Sequence, residues 1–402
     1  MTGPEPGAGS VGVVGAGTMG LGIAAVAALA GSDAVVLDRS PEVREQAPGR
    51  LGAILDRGSG RRWTAEEARA AARRVRTVGA ASDLRGCRLI IEAVPEDLEL
   101  KRRIFAELAA AVDPEAILAT NTSSLSIEAI AAAVPDPSGF LGLHFFNPAT
   151  AMDLVEVVVG ARTAPAAVEL AAATVAAWGK TPIQVADGVG FLANRCARPY
   201  TTEGLRSSAA LGIEPARVDL ICRLGGFPMG PFELIDLVGA DVSLGVAESF
   251  YRQSFGEPRW RPHRTLIQAV AAGRLGRKTG EGFYVYDGSP HRGPDPHGGG
   301  PDLLVDAERL ASLAGPQAPE VLAWIAAALV NEAAFALEEE IAGAADVDLA
   351  MRLGYRWPRG PLEIGGMLGF PAVLERLQAM RETYGEAYRP APRLRRLAAD
   401  RA

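Results

Sequence analysis

Of the four histidines in this 402-residue chain, only His144 sits in a long apolar run, Leu141 to Phe145, that predicts a β-strand. Glu156 follows twelve positions later, inside the next such run, Leu154 to Val158. An imidazole titrates near neutral pH and a carboxylate beside it can fix its tautomer, so the two suit proton transfer to or from an oxygen. Taken alone, the pair reads better as a satisfied core histidine and an acid paired elsewhere. The setting changes that balance. The segment Ala119-Thr120-Asn121-Thr122-Ser123-Ser124-Leu125 ends a further predicted strand in the same half of the chain. Open α/β sheets bind their ligands at the carboxyl ends of strands.

A second group of residues points to a cofactor. Gly15-Ala16-Gly17-Thr18-Met19-Gly20 follows the apolar strand Val11 to Val14 and leads into the helix-like run Leu21 to Ala30. A lone GxGxxG is weak, but here a strand precedes it, a helix follows, and an acid, Asp38, ends the next strand about twenty positions on. Gly15 permits the tight turn, Gly17 lets the backbone approach a pyrophosphate, and Gly20 lets helix and strand pack closely. Thr18 and Met19 open the helix whose N-terminus faces the phosphate charge. Asp38 would accept from ribose hydroxyls and repel a 2′-phosphate, which favours NAD over NADP; Arg39 beside it is the residue that could answer such a phosphate.

No metal is expected. Cys87, Cys196 and Cys222 have neither a disulfide framework nor zinc-ligand spacing, and His291 and His297 lie in a Gly/Pro-rich segment without partners. A formal net charge of −7 argues against nucleic acid or an anionic membrane as the main partner, and favours a small metabolite. Met1 to Ser10 lacks a secretory layout and Leu21 to Ala30 is too short to span a bilayer, so a cytoplasmic protein is expected.

The elements that must position these residues follow from the pattern. Short apolar runs at Val11 to Val14, Ala34 to Leu37, Leu89 to Ile91, Ala116 to Leu118, Leu141 to Phe145 and Leu154 to Val158 alternate with Ala-rich helical stretches, one opened by Thr64 and another running from Asp97 to Ala111. This is the pattern of an α/β Rossmann-type doubly wound sheet with a parallel majority. Beyond Gly188 helical patterns take over and an internal repeat emerges. Val218-Asp219-Leu220-Ile221-Cys222-Arg223-Leu224-Gly225 returns as Val347-Asp348-Leu349-Ala350-Met351-Arg352-Leu353-Gly354, and each copy is followed by Pro-x-Gly-Pro-x-Glu, ending at Glu233 and Glu363. Glu203 and Glu332 hold equivalent places upstream. The expected organisation is a flexible tail over 1–9, a Rossmann domain over 10–187, an all-α domain over 188–286, a linker over 287–317 and a second all-α copy over 318–402.

In these motifs the chain closely resembles the 3-hydroxyacyl-CoA dehydrogenase family, including its 3-hydroxybutyryl-CoA members. The resemblance runs from about Val11 to Tyr286 and on into the second helical copy. Its pieces are Gly15 to Gly20, Ile91-Glu92-Ala93-Val94-Pro95-Glu96, Asn121 to Leu125, His144 to Pro148, Val155-Glu156-Val157, Gly190-Phe191-Leu192-Ala193-Asn194-Arg195, Gly230 to Leu234 and Gly276 to Tyr284. What it implies is an NAD-dependent oxidation of a (3S)-3-hydroxyacyl-CoA, or the reverse reduction. His144 is then the acid/base, Glu156 its partner, and Ser123 and Asn194 hold the substrate. Glu96, Lys101 and Asn121 match positions lining the ribose and nicotinamide end of the cofactor. Away from the resemblance, Ser123 reads equally as a helix cap and Asn194 as a helix-surface amide.

Departures from the family pattern are also legible. Asp153 stands where relatives carry a non-acidic residue, and Thr202-Glu203 where Asn-Glu is usual. Arg57, Arg61 and Arg62 fall where relatives place lysines that meet CoA phosphates; a solvated basic turn is the equal alternative. Other readings are a substrate carried on an acyl-carrier protein, a free hydroxy acid, or a non-catalytic NAD-binding scaffold. In one-copy relatives the helical domain is the dimerisation surface, so two linked copies predict a monomer with pseudo-dimeric repeats, or a homodimer using another face, with a purely structural second copy.

Overall fold

A computed structural model describes residues 10–287 and 302–400. The expected tail over 1–9 and the histidines His291 and His297 lie outside the described residues. Two compact units divide the chain, Met1–Phe191 and Leu192–Ala402.

The first unit is built on eight strands: β1 (Val11–Val14), β2 (Ala34–Leu37), β3 (Val75–Val78), β4 (Leu89–Glu92), β5 (Ile117–Thr120), β6 (Phe140–Phe145), β7 (Leu154–Val159) and β8 (Thr181–Ala186). They form one sheet in the order β3-β2-β1-β4-β5-β6-β7-β8. Every pair is parallel except β6 with β7. Its helices are α1 (Thr18–Leu29), α2 (Pro41–Gly58), α3 (Ala65–Arg73), α4 (Leu98–Ala111), α5 (Ile127–Ala131) and α6 (Pro165–Ala177). Strands β1, β2, β4 and β5 are buried at every position, which is why they read as unbroken apolar runs rather than as alternation. The edge strands β3, Val-Arg-Thr-Val, and β8, which carries Pro182, escape a reading by apolar runs; proline is tolerated where the ladder ends.

Local signals start the helices. Thr64 caps α3 in a reciprocal box with Glu67, each accepting from the other's backbone N–H, and Asp97 caps α4 by accepting from Leu100 N at 2.7 Å. The strand order reverses beside β1, between β2 and β4. The carboxyl ends of β1, β4, β5 and β6 therefore open on one side of the sheet, where this architecture takes its ligands.

The second unit holds α7 (Ala193–Leu211), α8 (Pro215–Leu224), α9 (Pro231–Val238), α10 (Ala240–Gln253), α11 (Arg264–Ala271), α12 (Ala307–Ala314), α13 (Ala318–Glu338), α14 (Ala344–Tyr355), α15 (Pro361–Leu368), α16 (Phe370–Tyr384) and α17 (Pro392–Ala399). The repeat is reproduced atom for atom. Asp219 accepts from Phe232 N and Glu233 N at 2.9 and 3.0 Å, and Asp348 accepts from Leu362 N and Glu363 N at 2.8 and 3.1 Å.

Two expectations need correction. The span 287–317 is not a linker throughout, because α12 forms within it and packs on α13 and α8. Its residues Leu310 and Ala314 are buried, giving the segment an apolar stripe too short to stand out after the Gly/Pro-rich stretch. Nor are the two helical copies separate domains. They share one unit, with α13 packed along α7, and the boundary with the sheet unit falls at Phe191 rather than 187. Helix α13 is long and apolar enough to cross a membrane, but its most apolar window is 83% buried inside the fold.

Candidate active site

The antiparallel pairing of β6 and β7 places His144 directly opposite Glu156. Residues so paired project from the same face with their β-carbons about 5 Å apart. The side chains meet: His144 Nδ1 lies 2.6 Å from Glu156 Oε2, with the residues 5% and 0% exposed. This contact commits Nδ1, and Nε2 is the ring nitrogen left for another partner. The aromatic rings of Phe146 and Phe191 pack against the imidazole at centroid distances of 4.5 and 5.8 Å.

His144 lines a cavity of about 310 Å³ together with Met19, Glu96, Lys101, Asn121, Ser123 and Asn147. Asn121 follows β5 and its Oδ1 accepts from Phe145 N at 2.8 Å, which fixes the amide relative to the histidine strand. Ser123 is exposed and belongs to no helix cap; the cap of α5 is Ser126, which accepts from Ala129 N.

Glu96 holds the loop carrying Ser123. Its Oε1 accepts from Thr122 Oγ1 at 2.6 Å, from Ser123 N and Ser124 N at 3.0 and 3.1 Å, and from Ser124 Oγ at 3.0 Å. Burial pushes the Glu96 carboxyl up, but Lys101 and these donors outweigh it and hold the group below the ordinary carboxylate range. Lys101 is itself buried. Its Nζ donates to both oxygens of Glu92 at 2.7 and 3.0 Å and lies 3.3 Å from Glu96 Oε2. Glu92, which the sequence reading did not single out as a site residue, ends β4 and also accepts from Thr120 Oγ1 and Val94 N. Lys101 thus lines the cavity with its charge answered by two carboxylates.

The glycine loop fits a dinucleotide on steric grounds. Gly15 has φ +102°, and a β-carbon on Gly20 would sit 1.8 Å from the Gly15 carbonyl oxygen, so both positions need glycine for the fold itself. Gly17 is different: a β-carbon there would meet no protein atom within 4 Å. Its side faces open space where α1 begins, as a pyrophosphate cradle requires. A second cavity, of about 240 Å³, is lined by Gly15, Asp38, Arg39, Val94, Pro95 and Ile104 among others, and suits an adenosine. Asp38 accepts from Ala16 N and Ser40 N at 2.9 and 3.0 Å, which leaves acceptor capacity for hydroxyl donors. Arg39 is paired with Glu107 and so already has an anionic partner.

The arginines expected to meet phosphates divide. Arg57 and Arg61 are exposed, whereas Arg62 donates to Thr150 O and Ala151 O and pairs with Asp153 at 3.4 Å. The acid at 153 therefore has a local partner. In the second unit, Asn194 sits in the first turn of α7, and its Oδ1 accepts from Tyr355 Oη at 2.8 Å. Tyr355 ends α14, so a residue of the second helical copy holds the expected substrate residue. Among the described residues no cluster could hold a metal ion.

Comparison with known proteins shows the family. The model for the 3-hydroxyacyl-CoA dehydrogenase NAD-binding domain matches residues 10–188, and that for the C-terminal domain of the same family matches twice, over 190–286 and 321–402. The chain is 36% identical to 3-hydroxyadipyl-CoA dehydrogenase of Escherichia coli (strain K12), covering 97% of each protein. It is 39% identical to 3-hydroxybutyryl-CoA dehydrogenase of Bradyrhizobium diazoefficiens over 69% of this chain and 96% of that one. A crystal structure of 3-hydroxybutyryl-CoA dehydrogenase from Escherichia coli K12 superposes with a TM-score of 0.87 at 34% identity, covering 98% of each chain.

Proposed function

The chain belongs to the 3-hydroxyacyl-CoA dehydrogenase family, NAD-dependent oxidoreductases, and from that premise we propose that His144 is its acid/base, oriented by Glu156. The reaction is the oxidation of a (3S)-3-hydroxyacyl-CoA to the 3-oxoacyl-CoA, or its reversal. The carrying observation is the 2.6 Å contact between His144 Nδ1 and Glu156 Oε2 at the wall of the cavity that also holds Ser123 and Asn121.

In the oxidative direction His144 Nε2 takes the proton of the C3 hydroxyl as the C–O bond becomes a carbonyl. Glu156 holds the tautomer that presents Nε2 unprotonated and then answers the charge on the imidazolium. Bound NAD supplies the acceptor for the hydride that leaves C3. Gly15, Gly17, Thr18, Met19, Gly20 and Asp38 would hold its phosphates and adenosine, and Asn121 its nicotinamide end. Ser123 donates to the substrate oxygen, and Asn194, the expected substrate residue of the helical unit, has its amide N–H groups left to donate because Tyr355 occupies its carbonyl oxygen. Arg57 and Arg61 are free of ion pairs among the described residues and remain the candidates for CoA phosphates. The buried thiols Cys87, Cys196 and Cys222 suit the reducing cytoplasm.

His144→Ala tests the assignment. It is expected to lower kcat with a 3-oxoacyl-CoA and NADH by on the order of 10²–10⁴-fold while NADH affinity, read by fluorescence titration, is retained. Undiminished turnover would remove His144 from the chemistry and return the chain to a cofactor-binding scaffold.

A further inference from the structure

The duplicated helices make two equivalent junctions between the copies, one around Glu332 and one around Glu203, and their charges differ. Past Glu332, at the end of α13, stand Glu338 and Glu339. Glu338 pairs with Arg396, and Glu339 with Arg195 at 2.7 Å and Arg259 at 3.6 Å. The same steps past Glu203 in α7 reach Ala209 and Ala210, both exposed. Arg389-Pro390 and Arg261-Pro262 are likewise equivalent, following Tyr388 and Trp260 in turn. Arg389 is answered by Glu257 at 3.1 Å, whereas among the described residues no carboxylate pairs with Arg261 or with Arg264. One junction is thus closed by the chain's own acids, and the other lacks them.

The junction without acids holds a cavity of about 580 Å³, within the range of roughly 300–1,000 Å³ usual for small-molecule sites. Arg206, Arg261, His263 and Arg264 line it. Arg206 is satisfied by Glu203 and by the carbonyls of Pro258 and Arg261, but Arg261 and Arg264 are exposed and keep their donors. Burial and the charges of Arg206 and Arg264 hold the His263 ring below its ordinary range, against a smaller pull from Glu203. Its Nδ1 accepts from Thr265 N at 3.4 Å, which leaves Nε2 to carry the proton and donate. The one acid in the lining, Glu386, is paired with Arg381 at 2.7 Å. In a chain of net charge −7, two unanswered guanidinium groups in one cleft draw anions to it. Aromatic rings complete the wall: Tyr384 is 44% exposed and rests on the buried Trp324 at a centroid distance of 4.7 Å. We propose that this junction binds a nucleotide, its phosphates met by Arg261, Arg264 and His263 and its base laid on Tyr384. The phosphates take the part that Glu338 and Glu339 play at the other junction, and the exposed ring supplies the stacking platform that a base uses. The cavity is lined wholly by the helical unit and shares no residue with the two cavities of the sheet unit.

Calorimetric titration of the full chain, saturated with NADH so that the dinucleotide cavity is filled, tests this with ADP and with inorganic pyrophosphate. ADP is expected to bind saturably and about tenfold more tightly than pyrophosphate, the difference being the stacked base. Ala210→Glu, which supplies the acid of the other junction, should weaken ADP at least about tenfold, and so should Arg261→Gln combined with Arg264→Gln. Tyr384→Ala should weaken ADP and leave pyrophosphate unchanged. All four positions are exposed, so the variants are expected to fold and to keep the NADH affinity of the wild type. An ADP affinity that moves less than about twofold in both Ala210→Glu and the double arginine variant overturns the proposal, because the nucleotide then binds elsewhere. Absence of saturable ADP binding to the wild type overturns it too. So does pyrophosphate binding as tightly as ADP, which would leave the exposed ring without a use.

Discussion

Glu96 performs no chemical step in the proposed reaction, yet five donors from three consecutive residues converge on one of its oxygens. Burial works against its charge, and Lys101 with those donors wins, so its folded pKa lies below its usual value. A depressed carboxylate contributes stability that is present above its unfolded pKa, about 4.3, and lost as pH falls through the lower folded value. The melting advantage of wild type over Glu96→Gln is therefore expected to stay constant from pH 7 down to about 4.5 and to shrink only below that. An advantage that fades between pH 7 and 5 would mean that the carboxylate is not so held. At this scale the sequence was legible where chemistry names a residue type. His144 and Ser123 line one cavity, and Glu156 lies opposite His144 on the neighbouring strand. Tyr355 was not legible, because its partner lies 161 positions away and only packing brings the two together.

Elements were legible to the extent that burial imposed a pattern on them. The central strands announce themselves as apolar runs, while β3 is half exposed and β8 carries a proline, and neither shows a period without its neighbour. The glycine loop was readable in full, and its three glycines serve two purposes that substitution separates. In Gly20→Ala the new methyl would stand 1.8 Å from a backbone oxygen, so helix α1 must shift against β1. A loss of about 3 kcal/mol or more in denaturant unfolding is expected, at the upper end for overpacking because backbone cannot swing aside. Gly17→Ala meets no protein atom, so it should unfold close to wild type and instead lose NADH affinity at least about tenfold, as the methyl takes the space the phosphates need. Equal effects of the two changes on stability would remove the distinction between a packing glycine and a ligand glycine.

At the scale of the molecule, the duplicated helical segment explains itself through exchange. Glu203 of the first copy accepts from Trp324 Nε1 and Tyr388 Oη of the second, both at 2.8 Å. Glu332, its counterpart, accepts from Arg195 Nε at 2.7 Å and Trp260 Nε1 at 3.3 Å in the first copy, and pairs with Arg259. Each copy thus completes the buried polar interior of the other, as partners do across a two-fold axis, and one chain contains both halves. The repeat was visible in the sequence, but the direction of the exchange was not, since Trp260 and Tyr388 are different residue types in equivalent places. The two acids should not weigh equally. Removing Glu332 leaves Arg195 and Arg259 facing each other with only Glu339 and Glu257, both partly exposed, in reach. Removing Glu203 strands only Arg206, whose NH2 still donates to the carbonyls of Pro258 and Arg261. Glu332→Ala is accordingly expected to cost about 3–5 kcal/mol in urea unfolding, the range for an uncompensated buried charge, and Glu203→Ala less. The loss should appear without any dependence on protein concentration, because the interface it breaks lies within one chain. A stability that rose with concentration would instead mean that a second chain contributes to this interior.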